Sequence, residues 1–112
     1  MKMFVYGTLK KNFSANYLMG DHFIKEAETV PKFTMYDGGF PQVVRGGSTS
    51  IKGEVWDVPE ELLPRIDMYE GHPTLFERQE IELSSGEVVN TYIYQCDHPE
   101  GSREIPEGRW EA

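Results

Sequence analysis

The residues best suited to acid–base chemistry lie near the end of one predicted helix. The segment PEELLPRIDMYEG predicts a helix from about residue 60 or 61 to 69, followed by Glu70 and Gly71. Glu70 comes four residues after Ile66, so it continues the apolar face and is expected to point inward. Apolar surroundings raise the pKa of a carboxyl, and the helix C-terminus and Asp67 are expected to act in the same direction. Such a glutamate is suited to work as a general base near neutral pH.

Local signals predict where this helix begins and ends. Pro64 is tolerated only in a first helical turn, and Gly71 is a typical terminator. Asp57 and Glu60 have the spacing of a capping box. The predicted apolar face consists of Leu62, Leu63, Ile66 and Tyr69.

The residues alone leave a second interpretation of Glu70 open, that of a solvated side chain beside a glycine cap. Other chemistry is poorly supported. His22, His72, His98 and Cys96 do not have the spacing of zinc ligands. The glycine pairs at positions 38–39 and 46–47 lack the strand–loop–helix context of a phosphate loop, so they are interpreted as turns. We therefore expect neither a metal nor a cofactor.

The elements that must position Glu70 are predicted to be mostly strands. The first strand covers about Met3 to Tyr6, and Gly7 directly after it allows a close approach of the backbone to a ligand or to another stretch of chain. A helix is predicted between Ser14, as its N-cap, and Gly20. Later segments alternate between apolar and polar residues, and the last two are joined by a hairpin turn at 84–86. Many short strands with few helices predict one α+β domain over residues 1–112, built on a small barrel.

Composition excludes several classes of protein. The net charge of −8 argues against nucleic acid as a partner, because phosphate binding needs clustered Lys and Arg. No segment approaches the roughly 18 apolar residues of a membrane helix. Lys2 is followed by only four apolar residues before Gly7, which is not the pattern of a signal peptide. Together with a single cysteine, these features lead us to expect a cytoplasmic protein without a membrane partner.

The order of several short motifs resembles one protein family over nearly the whole chain. FVYGTL comes first, followed by GGFPQVV, IKGEVWDV, IDMYEGHPTLFERQEIEL, TYIYQ and IPEGRW. This order resembles the gamma-glutamylcyclotransferase-like proteins, including their AIG2-like and gamma-glutamylamine cyclotransferase branches. The resemblance implies a small mixed β-barrel flanked by short helices, with a substrate cavity bounded by the first loop.

The resemblance also implies a function and a set of site residues. Members release 5-oxoproline from gamma-glutamyl compounds without a metal or cofactor, and Glu70 matches the catalytic glutamate, the general acid and base. Gly7, Thr8 and Leu9 would present backbone N–H groups to the substrate, and Tyr6 would form a wall of the cavity. The implied partner is a small gamma-glutamyl substrate, and the oligomeric state stays open.

Two positions in LFER bear on the expected site. Phe76 stands where the family often has tyrosine, so this wall of the substrate site lacks a hydroxyl. Arg78 matches the family, either as a partner of Glu70 or Asp67 or as part of a structural ion pair. The leading hypothesis is a cofactor-free cyclotransferase acting on a gamma-glutamyl amine or related compound. The alternative is a binding protein, without activity, for a small acidic metabolite or peptide end.

Overall fold

The computed structural model describes residues 1–96 and 101–111, which form eight strands and three short helical segments. The strands are β1 (Lys2–Val5), β2 (Phe23–Glu28), β3 (Phe33–Asp37), β4 (Pro41–Arg45), β5 (Lys52–Asp57), β6 (Phe76–Glu82), β7 (Val88–Tyr94) and β8 (Arg103–Glu104). The helical segments are 3₁₀ turns at Asn16–Met19 and Glu60–Leu62, and one α-helix, α1 (Leu63–Glu70). No helix in these ranges is both long and apolar enough to cross a membrane.

The strands form two open sheets, so the fold is α+β as predicted but the predicted barrel is not confirmed. One sheet has the order β2-β5-β1-β7-β6, with β1 and β7 parallel and the other pairs antiparallel. The second has the order β4-β3-β8 and is antiparallel. The outer strands β2 and β6 approach each other only just beyond their ends, at the bridge between Thr29 and Leu83. Strand number and alternation cannot predict closure, because closure depends on tilt and stagger between distant strands.

Strand β1 is central to the larger sheet and separates two halves of the core. Successive side chains of a strand point to opposite faces, so Met3 and Val5 pack in the half that contains Ile66 of α1. Phe4 packs on the other face with residues of the second sheet such as Met35. Both faces of β1 are therefore buried, and the loop that follows it begins inside the molecule.

The predicted helix near Glu70 is confirmed with adjusted ends. Its first turn is the 3₁₀ segment, Pro64 lies in the first turn of α1, and Gly71 ends the helix in the left-handed conformation with φ of 68°. The capping-box prediction is wrong, because Pro59 occupies the N-cap position and no side chain caps the turn. Ser14 does not cap the first helical segment either, since that segment begins only at Asn16.

Candidate active site

The end of α1 carries Glu70 into a cavity. Ile66, four residues earlier, is fully buried and fixes the face of the helix that points inward. The N–H of Gly71 donates to the carbonyls of Asp67 and Met68, which closes the last turn. Glu70 therefore projects from the last turn of a helix with a defined C-terminus, on the side predicted from the sequence. Only Ile66 of the predicted apolar face is fully buried, and Tyr69 is 47% exposed.

The six residues predicted for the site all line one cavity of about 270 Å³. They are Tyr6, Gly7, Thr8, Leu9, Glu70 and Phe76. Sequence reasoning missed other lining residues, namely Phe40, Pro41, Tyr69, Leu75 and Tyr92. The cavity thus brings the first loop, the end of α1 and the start of β6 together with the turn before β4.

Burial sets the acidity of Glu70. It raises the pKa of this carboxyl from 4.5 to about 7, because ionisation is unfavourable in a largely apolar cavity. Asp67 was expected to add to the rise through its negative charge, but burial is the cause found for the shift. This carboxyl therefore titrates closer to neutral pH than a solvated glutamate does.

Asp67 instead forms an ion pair at the base of the site. Arg78 Nη1 donates to both carboxylate oxygens of Asp67 at 2.9 Å, and the hydroxyl of Tyr92 donates to Oδ1. Burial, followed by the bond to Asp67, raises the pKa of Tyr92 above its ordinary value. The backbone N–H of Arg78 donates to His72 Nδ1 at 3.0 Å. These bonds tie the last turn of α1 to β6 and β7, and they identify Arg78 as the partner of Asp67.

The backbone of the first loop directs its carbonyl groups into internal hydrogen bonds. The carbonyl of Gly7 accepts from Lys10 N–H at 3.0 Å, and that of Thr8 accepts from Ala15 N–H at 3.1 Å. The Leu9 carbonyl accepts from the side-chain amide of Asn16 at 2.8 Å. Within the described ranges, the N–H groups of Gly7, Thr8 and Leu9 find no protein acceptor. Three residues that line the cavity therefore carry backbone donors with no partner in the described part of the chain.

Gly7 is required by a close approach and not by its backbone conformation. A Cβ at this position would lie 2.5 Å from Cγ of Pro41, and Gly7 is not among the glycines with positive φ. The first residue of β4 thus packs directly on the first loop. Tyr6 fixes the start of this loop by donating its hydroxyl to the Tyr92 carbonyl. Burial, and then the charge of Glu70, raise the pKa of Tyr6 well above its ordinary value.

Tyr69 and Phe40 are the missed residues that shape the entrance. The hydroxyl groups of Tyr69 and Thr8 lie 2.7 Å apart and join α1 to the first loop. Phe40 packs edge-to-face against Phe76 and Tyr94. The sequence contains a partial signal for Phe40, since GGFPQVV is one of the family motifs, but only its glycine pair was interpreted, as a turn.

The described residues contain no cluster of three or more side chains able to hold a metal ion. His72 is engaged with the backbone of Arg78, and His22 lies beside Asp21 with its imidazole 3.2 Å from that carboxylate. His98, considered above as a metal ligand, lies outside the described residues. Among the described residues that line the cavity, Glu70 supplies a carboxyl, Thr8 and Tyr69 supply hydroxyl groups, and the first loop supplies backbone N–H groups.

The α+β fold that carries this cavity is shared by known structures. A crystal structure of c4763, a uropathogenic E. coli-specific protein, matches with a TM-score of 0.84 and 26% identity over 97% of this chain and 91% of that one. The solution structure of ytfP from Escherichia coli matches with a TM-score of 0.74 and 25% identity over 98% and 96% of the two chains.

Sequence comparison identifies the family. The model of the family "Gamma-glutamyl cyclotransferase, AIG2-like" matches residues 3–112, and the chain belongs to this family. A protein of Methanocaldococcus jannaschii named "Putative gamma-glutamylcyclotransferase MJ1514" is 39% identical over 82% of this chain and 81% of its own length. Gamma-glutamylaminecyclotransferase A of Danio rerio is 30% identical over 84% of this chain and 68% of its own. The predicted membership is confirmed, and the protein is a gamma-glutamylcyclotransferase-like enzyme.

Proposed function

We propose that this enzyme releases 5-oxoproline from a gamma-glutamyl amine or a related small gamma-glutamyl compound. The observation that carries the proposal is a carboxyl with a pKa of about 7 in a cavity lined also by Gly7, Thr8 and Leu9, whose backbone N–H groups have no acceptor among the described residues. A group with this pKa accepts and returns a proton near neutral pH at low cost. Glu70 is also the one charged side chain among the described cavity residues, which favours a substrate that brings an ammonium group.

The reaction needs one proton carrier and a fixed substrate conformation. Glu70 removes a proton from the substrate α-ammonium group, and the freed amine attacks the γ-carbonyl carbon of the same molecule. A C–N bond forms, and the carbonyl oxygen takes up the negative charge. As the oxygen re-forms the carbonyl, the bond to the leaving nitrogen breaks and protonated Glu70 supplies its proton to that nitrogen. The regenerated carboxylate accepts the second proton of the ring nitrogen, which leaves a neutral lactam, and passes it to the released amine. Holding the glutamyl chain folded supplies much of the acceleration, since attack is intramolecular.

The first loop supports this chemistry with its backbone. The N–H groups of Gly7, Thr8 and Leu9 donate to the oxygens of the glutamyl group, either its carboxylate or the oxygen that becomes charged during attack. These donors are part of the fold before substrate arrives, because the loop carbonyls are already engaged. Tyr6 and Phe76 are the walls against which the folded chain packs.

The test measures 5-oxoproline release from a panel of gamma-glutamyl amides and dipeptides. Replacing Glu70 by Gln keeps the shape but removes the proton carrier, so turnover should fall by at least about 10²-fold. Glu61→Gln is the matched control, because Glu61 is an exposed glutamate of the preceding 3₁₀ turn. Equal turnover by wild type and Glu70→Gln would refute the role of Glu70. Binding of gamma-glutamyl compounds without any release by the wild type would favour the alternative of a binding protein.

The pH profile tests the proton carrier independently. Below the pKa of Glu70, at about 7, kcat/KM should decrease and approach a tenfold loss per pH unit. Titration of the substrate amine acts on the alkaline side, so the two effects are separable. If the acid limb persists unchanged in the residual activity of Glu70→Gln, it belongs to another group.

A further inference from the structure

Lys10 is a buried cation directly after the three loop residues that line the cavity. It is only 7% exposed, and it does not itself line the cavity. Its ammonium donates to the carbonyl of Trp110 at 2.8 Å and lies 5.0 Å from the ring centroid of Phe13. Burial lowers the pKa of Lys10, and the negative charge of Glu54 acts against this shift. Burying a cation costs free energy unless it is paired, so the bond to Trp110 is what makes this placement tolerable.

The segment that follows β8 holds the acceptor of this bond in a fixed place. The N–H of Ile105 donates to the Met35 carbonyl of β3 at 2.8 Å, which ties the segment to the smaller sheet. The N–H of Lys52 in β5 donates to the Gly108 carbonyl at 2.8 Å, which ties it to the larger sheet. The Trp110 carbonyl follows two residues later, so it meets the buried ammonium from a segment attached to both sheets.

The side chain of Lys10 attaches the first loop to that segment, although the two are 100 residues apart in the chain. The loop carbonyls, by contrast, accept only from groups within residues 10–16. Those local bonds include one from Lys10 N–H to the Gly7 carbonyl, and they give the loop its shape. The place of the loop relative to the sheets depends on longer connections, namely the Lys10 side chain and the bond from Lys11 N–H to the Glu54 carboxylate.

On the basis of the proposed function, we infer that Lys10 is a positioning residue, whose bond to the Trp110 carbonyl holds the N–H groups of the first loop in place opposite Glu70. These donors act on the substrate only if its oxygens lie within hydrogen-bond distance. A displacement of about 1 Å is enough to lower a rate by roughly 10²-fold. Loss of the Lys10 bond should therefore lower activity in a chain that remains folded.

Lys10→Met tests this inference, because it removes the donor and keeps a long apolar side chain. We expect kcat/KM for 5-oxoproline release to fall at least about tenfold, measured well below the thermal transition of the variant. The pH of the acid limb should stay unchanged, since Glu70 keeps its surroundings. Lys10→Arg retains a cationic donor and should recover most of the activity. Lys11→Met is the matched control, because it removes the adjacent, exposed cation but leaves the backbone bond to Glu54.

The amide resonances of Gly7, Thr8 and Leu9 give a readout that does not depend on activity. Their NMR chemical shifts or order parameters should change in Lys10→Met and stay as in wild type in Lys11→Met. If Lys10→Met does not fold, Lys10→Gln replaces it in both assays.

The outcomes separate this inference from the proposed function. Wild-type kcat/KM in the folded variant would overturn the inference and leave the proposed function standing. So would a loss of activity with unaltered loop resonances, because Lys10 would then not act through the loop. Absence of 5-oxoproline release by the wild type itself would overturn both.

Discussion

The buried carboxyl of Glu70 should cost the folded protein stability at neutral and alkaline pH. An ionised group in an apolar cavity is destabilised relative to the unfolded chain, where it is solvated. Glu70→Gln removes this charge and keeps the size of the side chain. We therefore expect the variant to unfold at a higher urea concentration than the wild type above pH 7, although it has lost the proposed proton carrier.

The magnitude follows from the two pKa values. With 4.5 as the ordinary value and about 7 in the folded state, ionisation disfavours the fold by up to about 3 kcal/mol. Below about pH 4.5 both states are protonated and this cost is absent. The cost increases as pH rises between the two values and is constant above the folded pKa. Glu70→Gln should thus gain stability, relative to wild type, across this same interval of pH.

Urea unfolding at about pH 4.5 and about pH 8.5 measures the effect, since these values lie at or beyond the limits of the interval. The difference between Glu70→Gln and wild type should increase by up to about 3 kcal/mol from the lower to the higher pH. Glu61→Gln is the control, because it measures the effect on stability of removing one negative charge from the surface. The difference in unfolding free energy between Glu70→Gln and wild type should depend on pH more than the same difference for Glu61→Gln. If it does not, the placement of the Glu70 carboxyl in an apolar cavity is refuted.

Two further predictions concern the residues that hold the site together. Gly7→Ala should destabilise the fold by roughly 1–3 kcal/mol, because the added Cβ meets Pro41, and Pro41→Ala in the same chain should recover part of this loss in urea unfolding. Arg78→Met should lower the free energy of unfolding by about 2 kcal/mol, because it leaves the Asp67 carboxylate with only the Tyr92 hydroxyl as a partner. Adding Asp67→Asn should restore part of that stability, and an additive double variant would contradict the ion-pair interpretation.

The parts of the site that were predictable depend on local signals. Pro64 and Gly71 limit where α1 can begin and end, and the four-residue spacing from Ile66 then decides the direction of Glu70. Gly7 after a buried strand likewise indicated a close approach. Each of these inferences needs only a few neighbouring residues, which is why the helix and the first loop were found.

The parts that were missed depend on contacts between distant segments. Phe40 and Pro41 reach the cavity because β4 belongs to a second sheet that packs beside the first, and no sequence pattern specified that arrangement. The predicted barrel is not confirmed for the same reason, since closure depends on how the two sheets meet. Tyr69 was assigned to the apolar face, yet its hydroxyl bonds with Thr8 at the entrance, a contact between residues 61 positions apart.

Asp67 and Glu70 lie on one helical turn but have different environments. This difference explains why the Glu70 carboxyl lies outside the ion pair with Arg78. A salt bridge would lower the pKa of a carboxyl and occupy its oxygens, which would make it a poor proton carrier. Arg78 binds Asp67, three residues before Glu70, and so anchors the turn without engaging Glu70. The ion pair of Asp67 with Arg78 thus leaves the Glu70 carboxyl in the cavity, where burial raises its pKa.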